Sequence, residues 1–135
     1  MVELLRTVLC VDDDVDDRDL VCDTIFEIDP HIKVVQAENG IEAIEYLSKA
    51  QIKGDLPCLV ILDINMPQMG GKETLAAIKE DNELNDLPVV IFSTSNNVID
   101  KHYCNNYGVK FITKPNTILA MRKEIEGLLR HCGDA

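Results

Sequence analysis

The chain has 135 residues, 46% hydrophobic and 27% charged, which fits one globular domain large enough to bury a core. Its formal net charge is −11, from 24 acidic and 13 basic residues, which argues against direct nucleic-acid binding because phosphate backbones reward basic patches. No apolar run approaches the roughly 18 residues that a membrane span needs, and Met1 to Arg6 lacks the layout of a signal peptide, so no membrane insertion and a cytoplasmic location are expected.

Thr7 to Val11 reads as a buried strand, and from Val15 the spacing of Leu20, Val21, Ile25 and Ile28 predicts a helix that ends before Pro30. Ile32 to Ala37 is a second strand, and Gly40 opens a helix carrying Ile41, Ile44 and Leu47. The most apolar strand runs from Leu59 to Asp63. A loop with Pro67, Gly70 and Gly71 then leads into a helix bearing Leu75 and Ile78. Pro88 introduces a fourth strand, Val89 to Phe92, and a polar stretch from Val98 to Tyr107 gives a weaker helical pattern. Val109 to Thr113 is the fifth strand, and Ile118, Met121, Ile125 and Leu128 mark a last helix.

Apolar strands alternating with helices predict an α/β fold with a parallel sheet covered on both faces. Right-handed crossovers favour a doubly wound sheet in the order 2-1-3-4-5, and such sheets hold ligands beyond the carboxyl ends of their strands. The expected organisation is a single domain over 1–135, with its core at about 6–130 and no output module.

The cysteines at 10, 22, 58, 104 and 132 are odd in number and form no Cys-x-x-Cys or Cys/His cluster. A disulfide framework and a structural zinc site are therefore not expected. Cys10 reads as a small core residue, and the scattered His31, His102 and His131 as surface or capping residues.

The polar residues sit where the topology places a site. The first strand ends in Asp12-Asp13, the third in Asp63, the fourth in Ser93-Thr94 and the fifth in Lys114-Pro115. Carboxylates converging on one edge repel unless a cation joins them, and a hard, oxygen-preferring ion such as Mg²⁺ meets that need. With Ser93 and Lys114 adding a donor and a positive charge, the set suits phosphoryl transfer to a carboxylate.

Four blocks carry a resemblance across nearly the whole chain. Val8 to Asp14, Asp63 to Gly71, Pro88 to Ser93 and Phe111 to Pro115 stand in the order and spacing of receiver-domain signatures. The sequence resembles the receiver domains of two-component response regulators, of the stand-alone type, some of which pair with phytochrome-type kinases. The resemblance implies a flavodoxin-like receiver fold and phosphorylation of Asp63 by a histidine kinase or phosphotransfer protein. An unidentified downstream protein would read the modified state. Asp13 would hold Mg²⁺ directly, with Asp12 helping through water, Asp63 contributing its carboxylate and Asn65 its backbone carbonyl. Ser93 and Phe111 match the switch hydroxyl and switch aromatic, Thr94 lies beside the phosphoryl group, and Lys114 pairs with it. Pro67, Gly71 and Pro115 would be structural, with the Lys114–Pro115 bond cis.

This sequence departs from the family pattern at Gly70, where an acidic residue or Asn is usual, and at Ser93 and Thr94, where Thr and a smaller residue are commoner. Plainer roles also fit some positions: Asp14 as a helix N-cap, Asp16 and Asp17 in the first turn, Phe111 as a packed aromatic and Gly70-Gly71 as loop geometry. An aspartyl phosphatase would want a second Asp where Asn65 stands. A flavin module would want a phosphate-cradling loop where Asp12-Asp13-Asp14 stands. A phosphorylation-independent scaffold would not need a complete pocket. The expected role is a switch that catalyses only its own modification, not an enzyme with an external substrate.

Overall fold

A computed structural model describes residues 6–133; the segment at 1–5, on which the signal-peptide expectation rests, lies outside the described residues. Five parallel strands form one sheet in the order β2-β1-β3-β4-β5, as the alternation of elements predicts. The strands are β1 (Arg6–Val11), β2 (Ile32–Ala37), β3 (Leu59–Leu62), β4 (Val89–Ser93) and β5 (Lys110–Thr113). The helices are α1 (Val15–Ile28), α2 (Gly40–Lys53), α3 (Gly71–Lys79), α4 (Val98–Asn106) and α5 (Ile118–Leu128).

Both faces of the sheet are apolar because alternate residues of each strand point to opposite sides. Leu9, Val11, Val60, Leu62 and Ile91 join Leu47, Leu75, Ile78 and Cys104 in the core under α2, α3 and α4. Val8, Cys10, Ile61, Val90 and Phe92 join Val21, Ile25, Met121 and Ile125 in the core under α1 and α5. Side-chain caps start four of the helices, with Asp14, Asn39, Asn97 and Thr117 accepting from first-turn N–H groups. The weak periodicity of α4 has a physical basis, since only Asp100 and Cys104 on it are fully buried.

Three features differ from the sequence reading. A 3-10 turn, Leu129–Cys132, prolongs the chain after α5. Cys132 on that turn is disulfide-bonded to Cys58, 74 residues away, with Cα atoms 5.0 Å apart. Local spacing cannot register this pairing, because the fold brings the entry of β3 against the chain's last turn. No cis peptide bond occurs among the described residues, so Lys114–Pro115 is trans, the isomer favoured for most X–Pro bonds by about 0.5–1 kcal/mol.

Candidate functional site

The polar residues gather because the backbone ladder runs one residue past the strands. The Asp12 N–H donates to Ala37 O at 3.1 Å, the Asp63 N–H to Val11 O at 2.9 Å and the Lys114 N–H to Ser93 O at 2.9 Å. Extended backbone thus carries these side chains to one edge of the sheet. Carboxylate oxygens of Asp12, Asp13 and Asp63 lie within 4.8 Å of one another, with Asp12 and Asp63 buried and Asp13 exposed.

Asp12 is heavily engaged: Oδ1 accepts from the Asp14 N–H at 3.0 Å and Oδ2 lies 2.6 Å from Lys114 Nζ. The ammonium also lies 2.7 Å from Asp17 Oδ2 and 3.8 Å from Asp63 Oδ2. Burial alone would depress the Lys114 pKa, but hydrogen bonds to Asp12 and Asp17 and the charge of Asp63 hold it above the ordinary lysine value. Asp63 is only 7% exposed, and Oδ1 accepts from the Ile64 N–H at 2.8 Å. Burial pushes its carboxyl above the usual range, with Asp12 adding repulsion; a hydrogen bond from Ser93, the charge of Lys114 and the Ile64 N–H pull it back. Three oxygen donors of this kind, with the exposed Asp13 open to solvent, fit a hard divalent cation that retains water.

Gly71 sets the back wall of this pocket. A Cβ there would lie 2.1 Å from the carbonyl oxygen of Asp63 and 2.6 Å from Ile64 Cα, so only glycine admits the approach. The Gly71 N–H donates to Ile64 O at 2.9 Å, closing the loop that contains Asn65 and Pro67, both exposed. Gln68 and Met69 turn that loop with φ of 50° and 71°, and Met69 O accepts from the Gly40 N–H at 3.1 Å. Gly70 leaves α3 without a side-chain cap.

Ser93 is fully buried, while Thr94 is exposed beside it. Phe111 is half-buried and lines a surface cleft between α4 and β5 with Val98, Lys101, His102 and Val109. Lys101 Nζ stands 5.7 Å from its ring centroid. Pro115 is half-buried after Lys114.

Several residues bear on the site that the motif reading did not single out. Asp17 combines its place in the first turn of α1 with a direct hold on Lys114. Arg18, 6% exposed, donates to Asp12 O at 2.6 Å and to Gln36 Oε1 at 2.9 Å, fixing the backbone that carries the acidic pair. A polar chain also leads away from Ser93. Its Oγ accepts from the Ser95 N–H at 3.3 Å, and Ser95 Oγ donates to Asp100 at 2.9 Å. Asp100 pairs with Lys72, the residue after Gly71, and the Tyr103 hydroxyl donates to Lys72 O at 3.1 Å. An apolar-to-polar switch at strand ends reveals Asp63 and Lys114; a buried arginine one turn into an acidic helix gives no comparable signal.

Residues 8–126 match the family model of the response regulator receiver domain. The two-component response regulator ARR17 of Arabidopsis thaliana is 40% identical over 116 residues, covering 80% of this chain and 74% of its own. The crystal structure of the phosphorylated cyanobacterial phytochrome response regulator RcpA superposes with a TM-score of 0.86 at 29% identity, covering 96% of this chain and 94% of that one. The Mn²⁺-bound response regulator Rcp1 superposes with a TM-score of 0.81 at 26% identity, covering 93% of this chain and 92% of that one.

Proposed function

The chain belongs to the response regulator receiver domain family of two-component signalling, and from that premise we propose that it is a switch phosphorylated on Asp63. The observation that carries this reading is the meeting of Asp12, Asp13 and Asp63 within 4.8 Å, with the Lys114 ammonium 2.6 Å from Asp12 and 3.8 Å from Asp63. A histidine kinase or phosphotransfer protein is the phosphoryl donor, and the phosphorylated domain changes its affinity for a protein partner. The whole described chain acts as one receiver unit in the cytoplasm, beside an ATP-using kinase. It turns over no external substrate.

Transfer breaks the phosphorus–nitrogen bond of a phosphohistidine and forms a phosphorus–oxygen bond to an Asp63 carboxylate oxygen. Asp63 is the nucleophile. Lys114 stands ready to pair with the added negative charge, and Ser93 supplies a hydroxyl from β4. Asp12, Asp13, Asp63 and the Asn65 backbone carbonyl would hold Mg²⁺, which when bound neutralises charge on the phosphoryl oxygens. Thr94 narrows access to the phosphoryl group, and water later hydrolyses the acyl phosphate.

Phosphorylation biases an equilibrium in which Ser93 moves toward the phosphate and Phe111 turns into the vacated space. Phe111 has no hydroxyl to desolvate, so the inward state loses no solvent hydrogen bond. The surface of α4, β5 and α5 is the partner face. Asp63→Asn should fold normally yet take no label from a small-molecule phosphodonor or a kinase. Stable labelling of that variant would move the acceptor elsewhere. A phytochrome-type histidine kinase is the first donor to try, given the likeness to the phytochrome response regulator RcpA.

A further inference from the structure

We propose that Cys58 and Cys132 form a reversible thiol–disulfide modification site that fastens or releases the C-terminal turn according to the redox state of small cellular thiols. The pairing is selected by the fold. Cys58 sits immediately before β3, where its N–H donates to Thr7 O at 2.8 Å, and the Leu129–Cys132 turn lays Cys132 against it. Their Cα separation of 5.0 Å lies within the span a disulfide bridges without backbone movement.

The other three thiols are poor competitors. Cys10 and Cys104 are buried, and burial pushes the Cys10 thiol up to about 12 and raises that of Cys104. Cys22 is on α1, where Gln36 Nε2 approaches its sulfur at 3.1 Å. Cys22 is equally half-buried, but among the described residues only Cys58 and Cys132 stand within bridging distance of each other, and both are open enough for an exchanging thiol to approach.

The inference rests on the proposed function in one respect: a receiver works beside an ATP-using kinase, where thiols are kept reduced. Disulfides in such a compartment are mostly transient or redox-sensing. Formation proceeds by attack of one cysteine thiolate on a low-molecular-weight disulfide such as oxidised glutathione, which expels one small thiol and leaves a mixed disulfide. The second cysteine thiolate then attacks the protein sulfur and expels the other small thiol. In sum, two protein thiols lose two electrons and two protons to one small disulfide, which becomes two small thiols. Reduction is the same exchange in reverse.

Apart from the bridge, the turn is held mainly by Leu129, which packs into the core under α1 and α5. Leu129 is buried, but Arg130, His131 and Gly133 are exposed, and the Arg6 side chain reaches the turn through one exposed hydrogen bond to Gly133 O. Opening the bridge therefore loosens residues 130–133 while Leu129 stays anchored. Asp63 lies past the opposite end of β3 from Cys58, five residues or roughly 16 Å away at strand rise, so phosphorylation and thiol exchange act at opposite ends of one strand.

The test equilibrates the full chain in glutathione buffers of graded ratio, quenches with acid, alkylates and maps peptides by mass spectrometry, with hydrogen exchange followed at 130–133. The expected result is one bridged species joining Cys58 to Cys132, replaced by the doubly alkylated form as reduced glutathione comes to dominate. Exchange at 130–133 should rise on the order of tenfold once the bridge opens. Separate alkylation of the two cysteines at every ratio overturns the proposal, as does a bridge that persists in fully reducing glutathione, which would make it a fixed staple. Cys132→Ser should fold, as judged by circular dichroism, and lose the redox response; a retained response also overturns the proposal. Phosphodonor labelling of Asp63 in the same samples separates the two readings. Labelling without a bridge rejects only the thiol site, and a redox transition without labelling rejects only the receiver function.

Discussion

Replacing Gly71 by alanine should unsettle the pocket far more than its small size suggests. The added methyl would stand 2.1 Å from Asp63 O, 2.6 Å from Ile64 Cα and 2.9 Å from Asp63 C, all backbone atoms that no rotamer change can remove. Overpacking costs about 1–3 kcal/mol, and rigid backbone on the receiving side puts this case at the upper end. The hydrogen bond from the Gly71 N–H to Ile64 O, at 2.9 Å, would stretch, costing about 1 kcal/mol more. The better helix propensity of alanine returns about 0.5–1 kcal/mol. The net is a destabilisation of about 3 kcal/mol, or a fall of roughly 10 °C in Tm for a domain of this size. Thermal and urea melts followed by circular dichroism measure it. Gly127→Ala on α5 is the control, because nothing lies within 4 Å of its added Cβ and helix propensity alone should stabilise by up to about 1 kcal/mol. A Gly71→Ala protein melting within about 2 °C of the parent would refute the close-approach argument, since the predicted cost is several times that.

The remaining predictions separate neighbouring carboxylates. By calorimetric titration, Asp12→Ala should weaken Mg²⁺ binding by about 10–100-fold, as expected of a partner acting through water, and Asp13→Ala by more; equal losses would contradict the division of roles. In metal-free buffer the order reverses. Asp12→Ala should cost about 2–3 kcal/mol by stripping Lys114 of one partner and the Asp14 N–H of its acceptor, whereas Asp13→Ala should cost nothing in a urea melt. Asp100 has its pKa lowered by Lys72 first and by Ser95 next, against burial. A depressed carboxylate stabilises the fold above its unfolded pKa, near 3.9, and loses that contribution as pH falls through the lower folded value. Asp100→Asn should therefore cost about 1 kcal/mol at pH 7, discounted because Lys72 is partly exposed, and the gap from the parent should close in melts as pH falls below the ordinary carboxylate range. A gap that stays constant across that range would show that the Asp100 charge contributes nothing.

The fold was legible because the central strands β1, β3 and β4 are short apolar runs with abrupt ends. Val8 to Val11 stops at Asp12 and Leu59 to Leu62 at Asp63, so strand position and site position were read from the same boundary. Gly71 was read as loop geometry, yet its reason is contact with the Asp63 backbone, and close approach between segments leaves no local pattern. Asp17 looked like a helix-start residue because that role accounts for an acidic first turn; its hold on Lys114 joins residues 97 apart in sequence. The Cys58–Cys132 bridge was hidden for the same reason, and the polar face of α4 hid Asp100 as a buried member of the Ser95–Lys72 chain. The cis Lys114–Pro115 bond came from the family resemblance alone, and the structure corrects it.

The position of Lys114 gives the acidic pocket a tenant of its own. Its ammonium already sits between Asp12 and Asp17, within 2.6 and 2.7 Å. A metal ion entering this pocket must bargain with that charge for Asp12, so the affinity measured for the ion is a contest between two cations. The same lysine, once loosened from its carboxylates, is free to follow the negative charge wherever it next accumulates.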